Sequence, residues 1–83
     1  MSIDEIRALL ELRFPATYID VKYIGNQYLI TVVDDKFVGK KPVQRQQLVY
    51  SALKQAIMCG TIHAVQIKTF SKNEWQQYTS NMG

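Results

Sequence analysis

Tyr28-Leu29-Ile30-Thr31-Val32-Val33, then the spaced apolar residues Leu48, Val49, Ala52, Leu53, Ala56 and Ile57, then Ile62 to Phe70, form the stretch that decides the fold. The first segment is mostly apolar on both faces, as a central strand is. The second recurs at helical spacing, with Pro42 suited to its first turn and Gly60 to its stop. The third alternates, with His63, Val65, Ile67 and Thr69 on one face and Gln66 and Lys68 on the other. A strand–helix–strand unit of this kind closes as a right-handed crossover, so its two strands are expected to be parallel.

Working outward, Thr17 to Ile24 also alternates. Ile19, Val21 and Tyr23 point one way, and Tyr18, Asp20 and Lys22 the other. Gly25-Asn26 tolerates positive φ and supplies a hairpin turn into the central strand. Upstream, Ser2-Ile3-Asp4-Glu5 reads as a capping box, and Ile3, Ile6, Leu9 and Leu10 follow as a helical stripe ended by Pro15. Downstream, Ser71-Lys72-Asn73-Glu74 is a second capping box. It opens a closing helix whose Trp75 and Tyr78 dock it on the body, and Thr79 to Gly83 reads as a frayed tail. Between the central strand and Pro42 lies a polar loop, Asp34 to Lys41, with Phe37 as a buried anchor before a tight bend at Gly39. The expected fold is α+β: one domain over residues 1–83, a three-stranded mixed sheet with helices on one face, in the order helix, strand, strand, helix, strand, helix.

At 83 residues, 47% hydrophobic and 20% charged, the chain fits one small ordered domain and excludes disorder as the main reading. The Tyr28–Val33 stretch is far short of the roughly 20 apolar residues a membrane span needs. A single cysteine and no cationic apolar leader make a reducing cytoplasm the expected home. Charge is uneven. Residues 1–35 carry a net −3 and residues 36–83 a net +6, with no acid between Lys36 and Asn73. A basic half of this kind suits nucleic acid or an acidic protein, or serves as a solvated face.

Catalytic chemistry is poorly supplied. The one histidine lies in the acid-free half, and no phosphate-binding loop is present. One His and one Cys do not make a four-ligand site alone. His63 and Cys59, four residues apart, are soft donors that can complete a cluster shared with a partner. The competing readings are a histidine capping the sheet and a cysteine acting as a small hydrophobe.

Phe37-Val38-Gly39-Lys40 followed by Val43-Gln44-Arg45-Gln46-Gln47-Leu48-Val49-Tyr50 resembles the signature loop and helix of the BolA family. Ile62-His63-Ala64-Val65 resembles that family's His-Ala strand motif, and Ser71 to Trp75 its closing helix start. The likeness spans about residues 20–77, and Gln46-Gln47, where many members carry His-Arg, is similar to the short IbaG-type bacterial branch. The resemblance implies a sheet-and-helix fold similar to a class II KH domain and a non-enzymatic protein that pairs with a monothiol glutaredoxin. It further implies a bridging 2Fe–2S cluster used in iron–sulfur trafficking or in iron and stress regulation, with His63 as a ligand. The Phe37–Pro42 loop and second helix, with Phe37, Gly39, Lys40 and Arg45, would shape the partner surface. A second family ligand, His or Cys, sits in the hairpin loop, where Gln27 stands here; Cys59, which is not at the family's cysteine position, is one substitute, and a more loosely held cluster or one dominated by the glutaredoxin and its glutathione are the others. Coordination needs a neutral imidazole, so it should weaken below about pH 6.5 if His63 titrates normally. Whether the free chain is a homodimer stays open.

Nucleic acid is the rival partner. None of the four glycines is spaced three from another, so the Gly-x-x-Gly grip of KH domains is absent. What remains is Lys40 and Lys41 ahead of a helix N-terminus, with Arg45 and Lys68, as a candidate phosphate-binding set.

Overall fold

The computed structural model describes residues 3–15, 18–58 and 64–82. Ser2, Thr17, Cys59, Gly60, Ile62 and His63 lie outside the described residues. The chain runs α1 (Ile3–Arg13), β1 (Tyr18–Ile24), β2 (Gln27–Val33), a 3-10 turn (Asp35–Phe37), α2 (Pro42–Ala52), α3 (Lys54–Met58), β3 (Val65–Phe70) and α4 (Lys72–Met82). The sheet order is β1-β2-β3, with β2 central. β1 and β2 are antiparallel, in register Val21↔Ile30, and β2 and β3 are parallel, in register Ile30↔Ile67. Gly25 (φ 60°) and Asn26 (φ 64°) make the left-handed pair that a two-residue hairpin requires. Among the described residues no helix is long and apolar enough to cross a membrane.

α1 and α2 cover one face of the sheet. Ile6, Leu10 and Phe14 meet Val21, Ile30 and Val32 from the sheet, Phe37 from the loop and Val49 and Leu53 from the second helical region. Each large side chain so buried contributes about 1.5–3 kcal/mol.

Three expectations need correction. The second helix is not continuous to Ile57. The Leu53 N–H is shared between the Val49 carbonyl (3.2 Å) and the Tyr50 carbonyl (3.0 Å), the tightening that ends a helix, and α3 resumes beyond it. No breaker residue marks the place; the fully buried Leu53 sits there in the core. The closing helix does not fray at Thr79. The Thr79 hydroxyl donates to the carbonyls of Trp75 (2.9 Å) and Gln76 (3.1 Å), and the helix runs on to Met82.

Nor do all helices share one face. Pairing sets Tyr18, Val33 and Phe70 side by side on the face away from α1 and α2. Trp75 of α4 stacks on Tyr18 (5.1 Å between ring centres) and meets Phe70 edge-on (5.2 Å). Val33, fully buried, lies on this face with Tyr18 and Phe70 and not in the main core. A central strand apolar on both faces needs cover on both, and α4 covers one end of the second.

Candidate functional site

The loop after β2 is built from the inside. Buried Asp34 donates its N–H to the Phe70 carbonyl (3.0 Å), and its Oδ1 accepts from the Lys36 N–H (2.9 Å), capping the 3-10 turn. Phe37, 0% exposed, packs 5.5 Å from Phe14. Its ring belongs to the core and fixes the loop above it. Val38 (φ −59°, ψ 130°) and Gly39 (φ 76°) then form a type II turn, closed by the Lys40 N–H on the Phe37 carbonyl (3.1 Å). The turn lifts Val38, Lys40, Lys41 and Val43 to the surface, with Val38 61% and Val43 60% exposed. The result is a ledge of two aliphatic side chains and two lysines. At its far edge the Lys41 N–H donates to Gln44 Oε1 (3.0 Å), and Pro42 opens α2.

Arg45 clamps this ledge. Its Nε donates to the Lys40 carbonyl (2.9 Å), while Nη1 and Nη2 reach the two Glu74 carboxylate oxygens at 2.7 and 3.3 Å. Glu74 Oε1 also accepts from the Ser71 N–H (2.8 Å), and Ser71 Oγ accepts from the Glu74 N–H (3.2 Å). The second capping box is therefore real, and its carboxylate does double service. The Arg45 hydrogen bonds, then the Ser71 N–H, hold the Glu74 carboxyl below its ordinary value. The Arg45 side chain is 13% exposed, against 47% for Glu74. Its charge is spent inside the protein, and among the described residues the cations of the ledge without an ion-pair partner are Lys40 and Lys41.

The expected cluster ligands His63 and Cys59 lie outside the described residues. What is described is the frame beside them in sequence. The carbonyl of Ala64, the next residue after His63, accepts from the Tyr28 N–H (3.0 Å), and Gln27 is half-buried at the start of β2. Tyr23 and Tyr28 pack 4.8 Å apart next to the hairpin turn, and Ile24 is exposed. Among the described residues no group of three or more His, Cys, Asp or Glu side chains can hold a metal ion. The donors the chain offers, one imidazole, one thiol and the weak amide of Gln27, fit a cluster completed by a second molecule and not a self-contained one.

Lys68 stands apart. Strand alternation places it on the face away from α2, so Lys40, Lys41, Arg45 and Lys68 do not converge on one surface. It borders an open groove of 470 Å³ that the sequence reading missed, walled by the aromatic rings of α4 and floored by the outer faces of the three strands. The signal was present in β2, whose second apolar face needed something above it.

A family model described as BolA-like protein matches residues 20–74. The chain is 35% identical over 77 residues to an uncharacterized protein in the rpoN-murA intergenic region of Acinetobacter guillouiae, covering 93% of each. It is 32% identical over 75 residues to the acid stress protein IbaG of Escherichia coli, covering 90% of this chain and 89% of that one. In fold it is similar to a Bol-like protein from Babesia bovis, with a TM-score of 0.84 at 24% identity over 95% of this chain and 94% of that one.

Proposed function

We propose that this chain, which belongs to the BolA-like family, is a non-enzymatic accessory protein that pairs with a monothiol glutaredoxin and lends His63 to a shared 2Fe–2S cluster. The observation that supports it most is the Phe37–Val43 ledge. It is held from below by Phe37 and from the side by the Arg45–Glu74 clamp, and it presents exposed Val38 and Val43 beside Lys40 and Lys41, which have no ion-pair partner among the described residues. A preorganised surface of this make-up suits an apolar contact rimmed by acidic groups on a partner protein. When bound, the cluster supplies one-electron redox chemistry and transferable iron.

In this reading the neutral His63 imidazole donates a nitrogen lone pair, and the Ala64–Tyr28 hydrogen bond anchors the chain next to it. Gln27 stands where a second ligand is expected, and its amide is a poor donor to iron. Cys59 or the partner's own thiolates then carry the rest. The KH-like arrangement, a cytoplasmic location and a role in iron or stress regulation belong to the same proposal, the last supported by the acid stress name of the Escherichia coli relative.

Reconstituting the cluster on a monothiol glutaredoxin, alone and with this protein, and following visible circular dichroism tests it. The mixture is expected to give a spectrum distinct from glutaredoxin alone, and His63→Ala to abolish the difference. Identical spectra for wild type and His63→Ala would remove His63 as a ligand, and Cys59→Ala decides whether the thiol substitutes for the missing second donor. A second reading, nucleic-acid binding, rests on the exposed pair Lys40 and Lys41 ahead of α2. It requires binding that falls steeply with salt, the log–log slope dropping by about one for each phosphate contact removed.

A further inference from the structure

We propose that the groove on the sheet face opposite α1 and α2 is a binding site for a free nucleotide, independent of the cluster and of the glutaredoxin surface. Its wall is aromatic. Trp75 lies nearly parallel to Tyr18 (20°) and to Tyr78 (23°), at 5.1 and 5.6 Å between ring centres. These contacts dock α4, yet Tyr18 is 41% and Tyr78 39% exposed, and both line the groove. Exposed faces of near-parallel aromatic rings are a stacking platform for a flat heterocycle.

The floor is polar and ordered by register. Asp20, Thr31 and Lys68 stand side by side across the three strands. Strand spacing puts the outer two about 9.5 Å apart at the backbone. Asp20 faces Lys22 at 3.7 Å, while Lys68 has no ion-pair partner among the described residues. The three charged groups, Asp20, Lys22 and Lys68, leave one net positive charge, carried by Lys68. The unmet demand of the groove is therefore for an anion, at a fixed distance from a stacking wall.

A nucleotide meets each part: the base on the Tyr18–Trp75–Tyr78 wall, the ribose hydroxyls toward the acceptor oxygens of Asp20, the phosphate on Lys68. A carboxylate receiving ribose hydroxyls is an established pairing in nucleotide sites. The volume, 470 Å³, falls within the range of small-ligand sites. A cationic or purely aliphatic ligand would leave Lys68 unanswered.

Trp75 is the single tryptophan of the chain, so its fluorescence reports on this wall alone. The purified protein is titrated with AMP, GMP, CMP and UMP, with ribose 5-phosphate and with a single-stranded oligonucleotide, following Trp75 emission and amide shifts. At least one mononucleotide is expected to quench Trp75 saturably and shift the amides of Leu29, Thr31 and Lys68. Ribose 5-phosphate and the Lys68→Ala variant should each bind at least about tenfold more weakly, and the variant of exposed Lys54, Lys54→Ala, unchanged. Lys68 is exposed, so its replacement leaves the fold intact. No response to any mononucleotide up to about 10 mM, equal binding by Lys68→Ala, or a response to the oligonucleotide alone would each overturn the proposal.

Discussion

Replacing Glu74 separates the two services its carboxylate performs. In Glu74→Ala the Ser71 N–H loses its acceptor, worth about 1 kcal/mol for a helix cap. Arg45 loses a two-pronged partner, worth at most about 1 kcal/mol because Glu74 is about half exposed and the pair is screened by solvent. The expected loss is about 1.5–2 kcal/mol, or a fall in Tm of about 6–16 °C for a domain of this size. Glu74→Gln keeps an oxygen for the Ser71 N–H and loses the charge, so its expected loss is about 0.5–1 kcal/mol. The pH dependence gives the sharper check. Glu74 has a folded-state pKa below its ordinary value of 4.5, so its contribution is fully present above that value. It is lost as pH falls through the depressed folded value. Urea unfolding of wild type and Glu74→Gln at pH 7, 5, 4 and 3 should show a gap that is constant between the first two and closes toward the last. A gap equal at pH 7 and pH 3, or no gap at either, would refute the assignment of this carboxylate to Arg45 and the helix cap.

The remaining expectations concern the elements that hold the site. Phe37→Ala should cost about 3–5 kcal/mol, since the ring is fully buried, and Phe37→Leu about a third of that; chemical denaturation reads both. At Gly39 an added Cβ meets open space, so Gly39→Ala should lose about 1 kcal/mol from the positive φ alone, and Gly39→Asn less; Tm values of the pair distinguish strain from a clash. Val33→Ala removes two buried methyl groups on the α4 face and should cost about 2 kcal/mol, with Trp75 emission shifting red as α4 loosens.

Much of this was legible because it is local. Gly25-Asn26, the Val38-Gly39 bend, Pro42 at the start of α2 and the Ser71–Glu74 box each declare themselves through φ preference or a short-range hydrogen bond. The alternation of Ile19, Val21, Ile30 and Val32 declared the core face. What escaped is non-local. The break at Leu53 carries no breaker and answers to core packing. The Arg45–Glu74 pair joins residues 29 apart in sequence, and nothing near Arg45 signals that its charge is already used. The second apolar face of β2 was visible, but that α4 would cover only its Val33 end, leaving the groove beside Lys68, depends on how the chain turns at Ser71. His63 stands out by chemistry as the single imidazole, and its role as a ligand comes from the family resemblance.

That single imidazole also permits the most direct test of the shared cluster. The protein is grown with 15N-histidine, mixed with unlabelled monothiol glutaredoxin, loaded with the 2Fe–2S cluster and reduced, and its pulsed electron paramagnetic resonance is recorded. A 15N hyperfine coupling as strong as that of an imidazole bound directly to iron is expected, and it can come only from His63. A cluster that forms between the two proteins but shows no such coupling would contradict the claim that this chain lends iron its histidine.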